Sequence, residues 1–395
     1  MDPRNNPYAP GAGTPPPELA GRDELIESTA ITLDRIRRGL AAKSVLMVGL
    51  RGVGKTVLLN RICQDARCRG FTTIELEAPE GLRLPALLAA PLHAALVRLS
   101  RRAAANQAVR RSLRALAGFV GAVKIGNDDI NISLDVAPEP GLADSGNFAA
   151  DLTALLESVG EAARTQDTAV ALFVDELQYV DESELAALIA ALHRAAQRQL
   201  PVVLVGAGLP QLVARTASAK SYAERLFSFP EIGPLAEDAA RLAIEAPAKR
   251  LGVAFQPDAL SMVLRETVCY AYFLQEWGKH CWDCAASSPV TLVDVEVASQ
   301  EATAELDASF FRARFDRLTP SEKRYLRAMA ERGGGPHRSG DVAETLGRSV
   351  RAVAPTRAKL IAKGMVYSPA HGDTAFTVPL FDDYLRRVLP FDAGG

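Results

Sequence analysis

The hydrophobic positions of this chain follow two different periods. Between residues 43 and 235, short runs that are apolar or β-branched at almost every position (44–48, 72–76, 170–174, 202–205 and a weaker 229–232) alternate with stretches of helical spacing. A strand that is apolar on both faces is one covered on both faces, so the pattern predicts a buried parallel sheet wrapped by helices, an α/β fold. After Leu235 the strand runs stop. Residues 237–304 read as a bundle of helices, in which Asp258 is a candidate N-cap and Thr291 with Asp294 resembles a capping box, with Asp in place of the usual Glu or Gln.

The C-terminal part changes pattern again. Thr319 and Glu322 form a second capping box with Pro320 in the first turn, and Tyr325, Leu326 and Met329 give that helix an apolar face. A short helix over 339–346 should stop at Gly347, and a third over 349–363 at Gly364, with Pro355 implying a kink or a delayed start. Two strand-like runs, 365–368 and 375–378, flank a turn. Three helices and a hairpin predict a winged helix-turn-helix. Its third helix carries Arg348, Arg351, Arg357, Lys359 and Lys363 opposite Val353, Leu360 and Ile361. Basic side chains so placed can neutralise phosphates while the helix enters a major groove, although the same fold also serves as a protein-interaction module.

Composition narrows the class. A chain of 395 residues, 48% hydrophobic and 23% charged, suits two or three globular domains. Residues 1–17, rich in Pro, Gly and Asn, lack the basic and apolar regions of a signal peptide and predict a flexible arm. The apolar runs fall short of the roughly 20 residues a membrane span needs. Five cysteines are too few for a disulfide scaffold, which points to the cytoplasm. Cys281 and Cys284 invite a zinc reading, but only His280 is near in sequence, so packing is the better one.

Charge is uneven beneath a formal total of −2. Residues 81–127 hold eight basic side chains and no acid, and residues 310–395 hold fifteen basic against nine acidic, leaving an acidic remainder. Such asymmetry favours a polyanionic partner. In the first block Val109, Leu113, Leu116 and Val120 recur at helical spacing, leaving Arg110, Arg111 and Arg114 on the other faces. Contact with a DNA backbone, docking on the acidic remainder, a solvated face and a membrane-surface helix all fit that arrangement. Ile130, Ile132, Leu134 and Val136 alternate like a half-buried strand without an assignable role.

One motif carries specific chemistry. Gly49, Gly52, Gly54, Lys55 and Thr56 fill every fixed position of G-x-x-x-x-G-K-[ST], with Val53 inside the loop, after an apolar strand and before a helix opening at Val57. Glycines let backbone N–H groups approach phosphates, Lys55 reaches the β- and γ-phosphates, and the Thr56 hydroxyl ligates Mg²⁺. The run ending in Asp175 and Glu176 supplies the second half: Asp175 for the Mg²⁺ shell, Glu176 to orient and deprotonate the attacking water.

Together with Ala20, Gly21 and Arg22 before the loop, and Gln178 after the carboxylate pair, these motifs resemble the AAA+ P-loop ATPases of the origin-recognition and initiator type and their STAND-like bacterial relatives. The resemblance implies an ATPase core over 18–235 with a basic helical insertion at 81–127, a helical lid over 236–305 and a winged helix over 306–395. It implies ATP and Mg²⁺ as cofactors, with Ala20, Gly21 and Arg22 near the adenine. Arg225, just before the fifth strand, falls where an arginine finger would act on a neighbouring subunit of a homo-oligomer; a surface salt bridge is the plainer reading. Two positions depart from the family. Gly206-Ala207-Gly208 stands where a polar sensor residue is expected, and Cys269 to Leu274 where a lid arginine is. The function implied is ATP-controlled binding of double-stranded DNA, the alternative a STAND-like regulatory switch that binds a protein partner.

Overall fold

The computed structural model describes residues 1–11, 13–102, 107–124 and 136–391. The chain forms two compact units: Arg22–Gly49 with Lys55–Ile232, and Met1–Gly21 with Leu50–Gly54 and Gly233–Gly395.

The first unit runs α1 (Asp23–Arg37), β1 (Ser44–Gly49), α2 (Lys55–Cys68), β2 (Thr72–Glu77), α3 (Leu84–Arg102), α4 (Gln107–Lys124), α5 (Phe148–Thr165), β3 (Val170–Asp175), α6 (Glu182–Gln197), β4 (Val202–Gly208), α7 (Gln211–Ala219), α8 (Ala223–Leu226), β5 (Phe227–Ser228) and β6 (Glu231–Ile232). Its strands are parallel and ordered β2-β3-β4-β1-β5, with β6 also on β1. Every residue of β1, β3 and β4 is buried, as their unbroken apolar runs require. The weak fifth run divides into two short strands at Pro230, which has no N–H for a ladder but accepts a hydrogen bond from Val48 N at 3.0 Å. The basic insertion is the helix pair α3–α4. Its apolar stripe, including Val109, Leu116 and Val120, is buried in the same core as Leu172 and Leu204 of the sheet. The alternating positions Ile130, Ile132 and Leu134 lie outside the described residues.

The second unit runs α9 (Glu237–Arg250), α10 (Pro257–Thr267), α11 (Ala271–Cys284), α12 (Leu292–Leu306), a π-turn (Asp307–Phe311), α13 (Arg312–Phe315), α14 (Pro320–Glu331), β7 (His337–Arg338), α15 (Ser339–Thr345), α16 (Val350–Ala362), β8 (Val366–Tyr367), β9 (Asp373–Phe376) and α17 (Phe381–Val388). Both capping boxes form, at Thr291/Asp294 and Thr319/Glu322. Asp258 is not an N-cap: Gln256 takes that place because Pro257, preset for the first helical position, starts α10 two residues earlier. Nor does Pro355 delay the third helix, which begins at Val350 behind the Ser349 cap and runs through it. Pro355 is exposed there, so water can satisfy the carbonyl that its missing N–H leaves without a partner. β8 and β9 pair antiparallel, and β7 adds to β9, a two-residue strand too short to show alternation in the sequence.

The N-terminal residues are not the loose arm that their composition suggests. Tyr8 is buried, its hydroxyl donates to Ile244 O at 2.5 Å, and its ring fills the space that a side chain at Gly278 would need. Asn6 donates to Lys279 O and Asp283 Oδ1, and Trp282 Nε1 donates to Asp2 O, all within 3.0 Å. These bonds bind the arm along α11. Among the described residues no helix is long and apolar enough to cross a membrane.

Candidate active site

In the first unit β4 lies between β1 and β3, with Val48 opposite Gly208 and Val174 beside Gly206. The loop leaving β1 and the carboxylates ending β3 therefore emerge on one edge, the carboxyl edge where parallel sheets place ligands. Lys55 opens α2, is buried, and donates from Nζ to Gly49 O at 2.9 Å. Thr56 Oγ1 donates to Asp175 Oδ2 at 2.6 Å, and Asp175 Oδ1 accepts from Glu176 N at 2.8 Å. Burial pushes the Asp175 carboxyl above its usual range, and the Thr56 hydroxyl is the strongest influence pulling it back. A hydroxyl and a carboxylate brought together are hard oxygen donors of the kind Mg²⁺ takes. They fit that ion.

Glu176 has φ +52°, a left-handed turn that redirects the chain just after the strand. Gln178, nearly fully buried, donates from Nε2 to the Glu176 carboxylate and accepts from Leu209 N at 3.0 Å through Oε1. The glycines of β4 make room for this: a Cβ on Gly208 would lie 2.8 Å from Gln178 Oε1, and one on Gly206 would strike Leu177. Where a polar side chain was expected on β4, a polar side chain arrives from the β3 loop instead.

The tip of the phosphate loop belongs to the second unit. Gly52 and Gly54 adopt φ +85° and +93°, the left-handed region that glycine occupies without strain. The Tyr270 hydroxyl donates to Arg51 O, Tyr272 N donates to Gly52 O at 3.1 Å, and a Cβ on Gly52 would sit 3.1 Å from the Tyr270 ring. Arg314 of α13 donates to Phe310 O at 2.6 Å and lies over the Phe310 ring at 3.7 Å. Burial, then the nearby Arg51 charge, lowers its guanidinium to about 10. Ala20 is buried with Ala239 and Ala243 of α9, and Gly21 (φ +67°) has no room for a side chain because Ala239 would be 2.7 Å away. In the first unit Arg22 stands at the start of α1, its guanidinium lowered by burial.

The other expected residues are scattered. Val53 is buried and Val57 half-buried. Arg225 is exposed on the four-residue helix α8, with no ion pair to the described residues. On α16, Arg357 is tied to Thr374 Oγ1, Ser368 Oγ and Asp373 O at 2.6–3.0 Å, and Lys363 to Glu322 Oε2 at 2.8 Å and Arg317 O at 3.0 Å. Arg348, Arg351 and Lys359 are exposed. In the insertion Arg110, Arg111 and Arg114 are exposed; Arg111 lies 3.7 Å from Glu139 and 4.0 Å from Glu161, and Arg114 3.8 Å from Glu139. Sequence reasoning gave no role to Gln178, Tyr270, Tyr272 or Arg314. The one signal available for Gln178 was its place two residues after Glu176.

A phosphate-loop motif after β1, with its Thr56 bonded to the first of two carboxylates at the end of β3, on a parallel sheet covered by helices, is the AAA+ P-loop NTPase fold. Residues 18–205 match the family model described as AAA ATPase domain, and residues 308–385 match one described as a domain of unknown function. Among solved structures the chain is similar to the Walker-type ATPase of Pyrococcus abyssi, at 13% identity over 93% of this chain and 96% of that one, with a TM-score of 0.58. It is also similar to the Aeropyrum pernix ORC1 protein in complex with DNA (16% identity, 94% and 93% covered, TM-score 0.43). A third is the Thermotoga maritima RuvB Holliday junction branch migration motor (14% identity, 94% and 97% covered, TM-score 0.44). No curated protein matches the chain. The matched domain supports nucleoside triphosphatase activity.

Proposed function

We propose that this protein binds ATP at the loop from Gly49 to Thr56, hydrolyses it, and uses the nucleotide to control binding of double-stranded DNA by its C-terminal residues. The observation that carries the ATPase reading is the 2.6 Å bond between Thr56 and Asp175, with Glu176 the next residue. Lys55 would neutralise the β- and γ-phosphates. Mg²⁺, held by Thr56 and Asp175, would supply charge neutralisation on the phosphate oxygens. Glu176 orients a water and takes its proton as the water oxygen bonds to the γ-phosphorus and the bond to the β-phosphate oxygen breaks, releasing ADP and phosphate. Gln178 holds the Glu176 carboxylate during that approach.

The DNA reading rests on α16. Its helix, the preceding α14 and α15 and the β8–β9 hairpin have the order of a winged helix-turn-helix, and Arg348, Arg351 and Lys359 face solvent there. Arg357 and Lys363 serve the domain's own packing. Duplex affinity measured with ATP across a salt series tests this. Arg351→Ala with Lys359→Ala should weaken binding and flatten the slope of log affinity against log salt by about 0.9 per lost phosphate contact. Because Arg111 and Arg114 face Glu139, neutralising Arg110, Arg111 and Arg114 should change the slope less. A wild-type chain with no salt-dependent duplex affinity would remove DNA as the partner and leave a protein-binding switch.

A further inference from the structure

We infer that α11 and α12 form a binding site for a first-row divalent cation of the zinc type, built from Glu276, His280 and Glu305. Glu276 and His280 are four residues apart on α11, so they share one face, and Glu301 and Glu305 do the same on α12. The helices bring the ligand atoms of Glu276, His280 and Glu305 within 4.8 Å of one another. His280 Nε2 lies 3.0 Å from Glu305 Oε2, and its Nδ1 lies 3.5 Å from Glu301 Oε2. Lys279 Nζ also reaches Glu305, at 2.9 Å.

Ion pairing explains His280 and Glu305 but not Glu276. Glu276 is 4% exposed; its Oε1 accepts from the Tyr272 hydroxyl at 2.8 Å, while its Oε2 is buried with no partner among the described residues. A buried carboxylate oxygen without a donor is costly and uncommon in folded proteins. A cation beside His280 supplies what that oxygen lacks. One imidazole nitrogen with carboxylate oxygens suits zinc and its neighbours in the first row, whereas Mg²⁺ favours oxygen and keeps its waters. Lys279 sits on a flexible stem and can yield Glu305 to a doubly charged ion. The site would clip α11 to α12, and through Tyr272, whose N–H bonds Gly52 O, it would abut the tip of the phosphate loop.

The test uses the full chain freed of metal by a chelator, titrated with Zn²⁺ against a chromophoric competitor, and with Co²⁺ as a spectroscopic probe. The expected result is one Zn²⁺ per chain, a higher melting temperature with Zn²⁺ than with Mg²⁺, and a cobalt spectrum without a thiolate charge-transfer band. His280→Ala and Glu276→Gln should each weaken Zn²⁺ binding by more than about 10–100-fold, the range for losing only an outer-shell partner. Glu305→Gln, at the more exposed end of the site, should do the same and serves if the buried variants do not fold. Asp175→Asn and Cys284→Ser should leave the affinity unchanged. Unchanged binding in His280→Ala and Glu305→Gln, a thiolate band, or loss of binding in Asp175→Asn would each overturn the assignment.

Discussion

Glu176 combines a left-handed backbone with a carboxylate held by a buried amide, and the two features have one consequence. The turn costs about 1 kcal/mol or more for a non-glycine residue. It turns the chain at the end of the strand, and Gln178, anchored through Leu209 N, holds the carboxylate. A hydrogen bond to a charged group contributes about 1.5–3 kcal/mol. Gln178→Met should therefore lower kcat about ten- to hundredfold while leaving ATP affinity within a factor of two or so. Steady-state rates with a nucleotide-binding assay check this, and an unchanged kcat would reduce Gln178 to a packing residue. Gly52 and Gly54 make a second contrast. Both have positive φ, but only Gly52 faces Tyr270 and Tyr272 at 3.1 and 3.3 Å, whereas nothing lies within 4 Å of a Cβ on Gly54. In denaturant melts Gly52→Ala should lose about 1–3 kcal/mol and Gly54→Ala only the backbone strain of about 1 kcal/mol. Equal losses would mean that the tyrosines do not confine the loop.

At the scale of elements, the buried strands were legible because a strand covered on both faces has nowhere to put a polar residue, as in 170–174. The capping boxes were legible because their donors and acceptors are three residues apart. The phosphate loop and the carboxylates after β3 were legible for the same local reason. What the sequence did not disclose depends on contacts between distant segments. Tyr8 packs on Gly278 although its neighbours are Pro, Ala and Asn, because burial against α11 outweighs the turn preference of the local sequence. The Tyr270 bond to Arg51 O joins residues 219 apart, and no periodicity announces it. Arg357 looked like a groove-facing base on helical spacing, yet β9 and its turn offer it three acceptors and take it inward.

At the scale of the molecule, the charge asymmetry resolves into two kinds of surface. Within the first unit the insertion's arginines meet acids: Arg83 bonds the buried Glu184 at 3.0 Å, and Arg111 and Arg114 lie near Glu139. On α16 Arg351 and Lys359 face solvent, as does Arg348 just before it. Arg225 is exposed in the same unit as Lys55 and Asp175. If it completes a neighbour's site, the rate per chain rises with protein concentration, and Arg225→Ala lowers kcat by about 10³-fold or more without weakening ATP binding. A rate independent of concentration, with an unaffected variant, would make it an ordinary surface residue. On the proposed reading, one edge of the sheet binds ATP through Lys55 and spends it through Glu176. The most direct test is ATP affinity and single-turnover hydrolysis for wild type, Lys55→Ala and Glu176→Gln under the same conditions. Lys55→Ala should lose binding, while Glu176→Gln should bind ATP as wild type does and hydrolyse it at least about 100-fold more slowly. Equal loss of binding in both variants, or full turnover in Glu176→Gln, would contradict it.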